Sequence, residues 1–327
     1  MRAKLSILII ALAVGLVFSI MTVKAQSSST VVRMITEKSK IGPNDVGSTF
    51  KLAVVVENVE DFYGFDIQLN WTTSLIRYVT HTTTVPRTSY PAPNPPSPYE
   101  GALNTPTLPI KDIVNETDNI PDAEPGTMAW FAYASLGAPS GQTGSATIVV
   151  FTFNVTSPPV SEPVVFHFVR VDLSNSTGQP IPYEAFDLTI PVEIEHTVTV
   201  DETDFIIKTL SNSTVKNFQL HAPEPKITFN VTGPAGSAGF CNVTIPKSLI
   251  WTTDSWTVLV DGQPATFSIT EDAENTYVHI TYQHSEHEIT IEGTDIVAEF
   301  DNVITIMLLA FVAALLTVLV VQKRILK

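Results

Sequence analysis

The sequence predicts an all-β chain: two β-sandwich domains set between an N-terminal signal peptide and one C-terminal transmembrane helix. Three observations predict it. Apolar residues recur with period two in many short runs bounded by Gly, Pro, Asn and Asp, as strands packed on one face require. No amphipathic helical pattern occurs between residues 26 and 302. The long apolar stretches stand at the two ends of the chain.

The C-terminal stretch, Val303 to Val321, holds no charge, Pro or Gly. About 20 apolar residues at ~1.5 Å rise cover the ~30 Å hydrocarbon core of a bilayer, and a helix closes its own backbone hydrogen bonds there. The span is placed at 303–322. Lys323, Arg324 and Lys327 follow, which puts the tail 323–327 in the cytoplasm and everything upstream outside. At the other end Arg2 and Lys4 precede an apolar run, Leu5 to Met21, and Val23-Lys24-Ala25 supplies small residues before Gln26. That is the layout of a signal peptide over 1–25. An uncleaved anchor is the alternative; both readings export residues 26–302, and the cleaved one makes the chain a single-pass, type I surface protein.

Charge narrows the partners. The chain carries 18 basic and 33 acidic residues, a net of −15. Three basic and no acidic residues lie in each terminal segment, so 26–302 carries 12 against 33, a net of −21. Such a surface disfavours nucleic acid and anionic lipid, which select clustered Lys and Arg. The single cysteine, Cys241, excludes an internal disulfide. It alternates with Val243 and Ile245 and is expected as a buried apolar residue. About 270 exported residues must therefore rely on burial alone, and they suffice for two β domains.

Seven Asn-x-Thr sequons occur, at Asn70, Asn115, Asn154, Asn175, Asn212, Asn230 and Asn242. In the strand patterns the Asn falls on the polar side: Phe153 and Val155 flank Asn154, and Phe229 and Val231 flank Asn230. They are expected to carry glycans on exposed faces, as on a surface protein of an archaeon or eukaryote.

In chain order, Thr49 to Val56 is the first clear strand. Phe65 to Asn70 alternates, with Phe65, Ile67 and Leu69 expected inward and Asp66, Gln68 and Asn70 outward. Residues 81–125 contain ten prolines and little periodic apolar character, which predicts a long insertion loop. Strands follow at Met128–Ser135, Ala146–Val155, Val164–Leu173 and Phe186–Ile194, closing a first domain at 26–196. A second set runs from Thr197 to Thr294 at the spacing of an immunoglobulin-like sandwich, with Asp261-Gly262 as a two-residue hairpin turn. A short juxtamembrane link, 295–302, leaves this second domain close to the membrane.

Three blocks of the first domain carry a family resemblance. Gly47-Ser-Thr-Phe-Lys-Leu-Ala-Val-Val-Val-Glu-Asn-Val59, Tyr63-Gly-Phe-Asp-Ile-Gln-Leu-Asn-Trp71 with Leu75-Ile76, and Gly144-Ser-Ala-Thr-Ile-Val-Val-Phe-Thr-Phe-Asn-Val155 resemble, in order and spacing, strands of the cohesin family. The resemblance covers most of residues 30–195. It implies a nine-stranded jelly roll, related in fold to carbohydrate-binding modules, and a protein partner of the dockerin type. It places Asp66 where cohesins often carry an interface Asp. The sequence departs from the family pattern at Thr72-Thr73, where Asp-Pro is usual. It also sets a sequon, Asn70, on the strand face that meets dockerin. The second domain looks like a β domain recurring in archaeal surface proteins.

Chemistry is sparse. His284-Ser-Glu-His287 has metal-like residues, but i and i+3 on a strand diverge, and a turn with solvated His is expected. Glu60-Asp61 and Asp201-Glu202 with Asp204 could hold a structural Ca²⁺ or stand as acidic turns. No nucleophile elbow, zinc-protease motif or phosphate loop occurs, so no enzyme, catalytic residue or bound cofactor is expected. Trp130, Phe131 and Tyr133 share a strand, and alternation puts Trp130 on one face and the other two rings on the opposite one. A ring left outward would stack on sugars, the route to a cell-surface glycan as ligand. The candidate partner-binding face is thus Asp66, Gln68, Phe131 and Tyr133. The leading function is protein attachment at the cell surface, with polysaccharide binding and a purely structural envelope role behind it.

Overall fold

A computed structural model describes residues 29–252 and 254–296. Both expected membrane segments lie outside these residues; among the described residues no helix is long and apolar enough to cross a membrane. The described chain is all-β. Its first sheet system contains β1 (Val31–Thr36), β2 (Thr49–Trp71), β3 (Ile76–Thr83), β4 (Thr107–Val114), β5 (Ala129–Ser135), β6 (Gln142–Val155), β7 (Val164–Asn175), β8 (Glu184–Phe186) and β9 (Leu188–Ile190).

The two strands expected at 49–56 and 65–70 are one. β2 runs for 23 residues through both layers of the sandwich. Its first half pairs β6 on one side and β1 on the other, with Leu52 opposite Phe151 and Val54 opposite Met34. Its second half pairs β5 and β7, with Asp66 opposite Ala132 and Asp172. The changeover lies at Val56–Phe62, where the register shifts and Asn58 and Asp61 adopt left-handed φ of 56° and 52°. Asn and Asp are the non-glycine residues that tolerate that region. Asp61 fixes the bend: its carboxylate accepts from Gly141 N (2.7 Å) and from Ser176 N and Oγ. One layer is therefore β8-β1-β2-β6-β3 and the other β9-β7-β2-β5-β4.

Between the layers the inward residues of β2 meet an aromatic core. Trp71 packs edge-on to Phe153 at 5.1 Å, Phe131 to Phe151 at 5.6 Å, and Phe153 to Phe166 at 5.1 Å. Such pairs contribute about 0.5–1.5 kcal/mol beyond the area they bury.

The Pro-rich insertion is corrected. It holds β4, an edge strand on β5 that Pro109 conceals in the sequence, and the ladder slips between Pro109 and Lys111. The rest of the insertion covers the outside of both layers. Tyr90 packs on Ala53, Val55 and Val150 of the first layer, with Ile35 and Tyr99 beside it. Gly101 lets this cover approach closely, since a Cβ there would stand 2.0 Å from the Thr84 carbonyl oxygen. Farther on, Ile120 and Ala123 pack on Trp130 and Ala132 of the second layer.

The second sheet system follows without a linker. β10 (Val192–Val200), β11 (Thr203–Ser211), β12 (Thr214–Leu220), β13 (Lys226–Thr232), β14 (Ala238–Pro246), β15 (Ile250–Trp251), β16 (Thr257–Val260), β17 (Gln263–Pro264), β18 (Thr266–Glu271), β19 (Asn275–Gln283), β20 (Glu286–Glu292) and β21 (Asp295–Ile296) complete the order. Two five-stranded sheets form, β10-β11-β14-β19-β18 and β12-β13-β20-β16-β17. Cys241, Val243 and Ile245 on one sheet and Phe229, Val231 and Ile289 on the other are buried in the same apolar cluster. Burial pushes the Cys241 thiol up to about 12, so it stays a neutral packing group. Asp261 and Gly262 both take positive φ, as a two-residue hairpin turn demands. The boundary expected at 196 falls inside β10, which already pairs β11 at Val192 and is tied to the first unit where Glu193 N donates to Ile41 O (2.8 Å).

Candidate functional site

The outward face of the β7-β2-β5 layer is built by register. Opposite Asp66 lie Ala132 on β5 and Asp172 on β7; opposite Gln68 lie Trp130 and Arg170. Period-two alternation puts all of these on one side of the sheet. Asp66 accepts from Trp130 Nε1 at 2.7 Å. The Lys111 ammonium from β4 sits over the Trp130 ring, 4.3 Å from its centre. Arg170 Nε donates to Asp172 at 2.6 Å and its Nη1 lies 3.7 Å from Glu124. Arg170 and Asp172 are exposed and Asp66 is half-buried, so the ion pairs stand in water and their worth is positional more than energetic. Between Asp66, Asp172 and the exposed Ile110 runs a groove of about 330 Å³.

Three expectations for this face are corrected. Gln68 is fully buried: Ile120–Thr127 lies over it, and its Oε1 accepts from Glu124 N (2.8 Å) and Thr127 Oγ1 (2.9 Å). Phe131 and Tyr133 point the other way, into the core, at 1% and 7% exposure. They share the face of Ile67 and Phe65, their register partners on β2. Tyr133 donates to Asp112, which also accepts from Thr83 Oγ1 (2.9 Å) and pairs with His81 Nε2 (2.8 Å). Burial and this carboxylate push the Tyr133 phenol up to about 12. The group ties β3 to β4 across the open side of the sandwich; it is a closure, not a ligand site. Trp130, the ring on the outer face, lies under Lys111 and Ile120 at 8% exposure. No ring of β5 therefore offers a free surface to a sugar.

Asp66 is the one residue of the expected set that faces out and stays partly exposed. Arg170, Asp172, Glu124 and Lys111 were not singled out in the sequence. Arg170-Val-Asp172 in an alternating strand carried a usable signal, since two charges at i and i+2 mark one solvated face. Lys111 carried none, because Pro109 hides the strand that holds it.

Elsewhere, one carboxylate of each acidic turn is already used within the fold. Asp61 spends its oxygens on the bend of β2, and Asp204 accepts from Thr199 Oγ1 at 2.6 Å. Among the described residues no three His, Cys, Asp or Glu side chains converge as a metal site needs. The pair at 284–287 does form a turn, but His284 is buried rather than solvated, with Ser213 Oγ at 2.8 Å from Nε2 and Ser237 Oγ at 2.6 Å from Nδ1. Burial, with His287 nearby, holds its pKa below the usual histidine range. A further groove, about 570 Å³, lies at the end of the first sandwich, between Asn58–Asp61 and Pro180–Glu184, away from the Asp66 face.

No family profile matches the sequence, and no curated protein matches it. Among solved structures the chain is similar to a non-cellulosomal cohesin from the hyperthermophilic archaeon Archaeoglobus fulgidus: 13% identity, TM-score 0.34, over 50% of this chain and 91% of that one. It is similar to a type II cohesin domain from the cellulosome of Acetivibrio cellulolyticus, at 14% identity and TM-score 0.34 over 50% and 95%. A type II cohesin dyad from the ScaA scaffoldin of the same organism matches at 14% identity and TM-score 0.34, over 81% of this chain and 85% of that one. The chain's likeness in structure is thus to cohesin domains.

Proposed function

We propose that this protein is a non-catalytic attachment protein displayed at the cell surface, and that the outer face of its β7-β2-β5 layer binds a protein partner of the dockerin type. The observation that carries this reading is the charge array around Asp66. Asp66, Arg170, Asp172 and Lys111, fixed on strands, and Glu124 of the insertion form a set of both signs beside an apolar groove edge at Ile110. Rigid, alternating charge next to apolar surface gives register and specificity to a protein interface. The sequence blocks that resemble cohesins support the same face, since they bring Asp66 to it. Display at the surface is supported by the apolar run Val303–Val321 with its basic tail and by the signal-peptide layout of 1–25. The second sandwich then serves as a spacer.

The test is direct binding. Full-length protein in detergent or vesicles is titrated with purified modules that carry a duplicated Ca²⁺ loop. The expected result is Ca²⁺-dependent binding that chelator reverses, and that Asp66→Ala and Arg170→Ala each weaken about tenfold or more. Binding that both variants leave unchanged would move the site off this face. A wild-type protein that binds a cell-surface polymer, releases it with free sugar and ignores every such module would turn the reading to polysaccharide attachment.

A further inference from the structure

Seven sequons with the same residue types sit in three different backbone settings. At Asn70, Asn154, Asn230 and Asn242 the Asn and Thr stand on a strand or across its end, and extended backbone carries the Thr away from the Asn amide. At two of them the Thr hydroxyl is spent elsewhere: Thr72 Oγ1 accepts from Val165 N at 3.1 Å, and Thr156 Oγ1 donates to Leu75 O at 3.3 Å. Asn70 in addition lies against Gly126 of the insertion, 3.8 Å from where a Cβ on that glycine would stand. At Asn212 the side chain is fully used, with Nδ2 donating to Ala238 O (3.0 Å) and Oδ1 accepting from Phe240 N (2.9 Å).

Asn115 and Asn175 differ from all of these. Each opens a tight turn in which the amide oxygen collects donors from its own sequon. Asn115 Oδ1 accepts from Thr117 N (3.0 Å), Thr117 Oγ1 (3.1 Å) and Asp118 N (3.1 Å). Asn175 Oδ1 accepts from Thr177 N (3.0 Å), Thr177 Oγ1 (2.8 Å) and Gln179 N (2.8 Å). Neither Nδ2 makes a hydrogen bond among the described residues, and both threonines are exposed.

We propose that Asn115 and Asn175 are the N-glycan attachment sites of the first sandwich, and that Asn70 and Asn212 stay bare. The chemistry follows from the turns. In N-glycosylation the amide Nδ2 attacks C1 of a lipid-linked sugar. The C1–O bond to the lipid phosphate breaks, the phosphate leaves with that electron pair, and the Nδ2 proton passes to a base of the transferase. Negative charge builds on Oδ1 as the proton leaves. Three donors already aimed at Oδ1 stabilise that charge without reorganisation. A strand sequon must first leave its ladder to reach the same geometry.

The placement has a consequence for the face described above. Asn175 pairs Phe62 where the second half of β2 begins, and Asn115 follows the end of β4 that pairs Ala129 and so meets Leu69 near the other end of that half. Two glycans at these positions bracket the Asp66 array and leave it open, whereas one on Asn70 would stand on it. The inference rests on export of the chain.

The experiment is mass-spectrometric mapping of sequon peptides from the full chain purified from its own cells. Glycan on the Asn115 and Asn175 peptides, with Asn70 and Asn212 unmodified, is expected. Gly178→Val sharpens it: Gly178 has φ +75°, so a β-branched residue strains the turn while the sequon stays intact. Occupancy at Asn175 should fall severalfold with Asn115 unchanged. Occupancy at Asn70 or Asn212 equal to that at Asn115 would overturn the proposal, as would an Asn175 indifferent to Gly178→Val. A chain bare at every sequon would overturn it too, and protease shaving of intact cells then shows whether export failed with it.

Discussion

The two outer faces of the first sandwich are made by the same strand and end up opposite in character. On the first half of β2 the outward residues are Ala53 and Val55; on the second half they are Asp66, Gln68 and Asn70. The first set is buried under Tyr90 and its neighbours, so that half of the strand has two apolar sides. The second set is polar, and the insertion covers Gln68 with Trp130 and Ala132 beside it while leaving Asp66 partly exposed. A sheet face is available to a partner where the chain has not already used it as a second core. The insertion makes that choice here, by sealing one layer and leaving Asp66, Arg170 and Asp172 in water.

The largest effect should come from reversing the character of the sealed face. Val55→Asp places an unpaired carboxylate under the Tyr90 cover at a position with no exposure. An uncompensated buried charge costs roughly 3–5 kcal/mol. Urea denaturation of the wild type and the variant measures it. A loss below ~1 kcal/mol would mean that the cover lifts freely and that the two faces are alike.

Removing the cover's own anchor should cost less. Tyr90 is buried and its hydroxyl donates to Asn94 O at 2.7 Å, within the cover itself. Tyr90→Ala is expected to lose about 3 kcal/mol, the lower end for aromatic truncations because the satellite cluster is small. Amide exchange should rise over 84–104 and stay unchanged over 115–127. Equal increases in both stretches would show that the insertion moves as one piece, and the contrast between its two halves would fail.

Much of this was legible in the sequence and part was not, for reasons that lie in particular residues. Phe65-Asp-Ile-Gln-Leu-Asn70 alternates, and its inward set is where alternation puts it. Leu52-Ala-Val-Val-Val56 does not alternate, which is the pattern of a strand buried on both sides. That run announced a cover, but nothing local said that the Pro-rich stretch supplied it. β4 was hidden because Pro109 breaks the pattern of an edge strand, where the missing donor costs no ladder bond. The side of β5 that faces core could not be told from β5 alone, since Trp130 and Ala132 on one side and Phe131 and Tyr133 on the other are all apolar enough to be buried. Only the register against β2 decides it. The same ambiguity hid Gln68: a polar residue on an alternating strand reads as solvated, and its burial depends on a contact 56 residues away in sequence.

On the open face a substitution should act on binding more than on stability. Asp66→Ala leaves Trp130 Nε1 without its acceptor, which costs about 1–2 kcal/mol. Partner affinity should fall about tenfold or more, because Asp66 is the half-buried centre of the array. Asp66→Asn keeps an acceptor for Trp130 and removes the charge. Restored stability with binding still lost would separate the two roles; a variant that recovers both would show that the face needs the hydrogen bond and not the charge.

The smallest effect is a pH dependence confined to the sealed face. Tyr99 of the cover donates to Glu57 Oε1 at 2.6 Å, and Arg33 on β1 donates to both Glu57 oxygens at 2.8 and 2.7 Å. The Arg33 hydrogen bonds, opposed by burial and aided by Tyr99, hold the Glu57 carboxyl below its ordinary 4.5. Because the folded-state value is the lower one, the tie contributes its full stability above about 4.5 and loses it as pH falls through the folded value. Arg33 is 42% exposed, so water screens the pair and the contribution stays below about 1 kcal/mol. Urea stability followed from pH 6 to 3 in the wild type and in Glu57→Gln isolates it, since the other carboxylates titrate alike in both. The wild type should be the more stable chain at pH 6, and the gap should close below about pH 4.5. A gap that persists to pH 3 would mean that Glu57 holds the cover by shape alone, and the sealed face would owe its closure entirely to Tyr90, Ala53, Val55 and Val150.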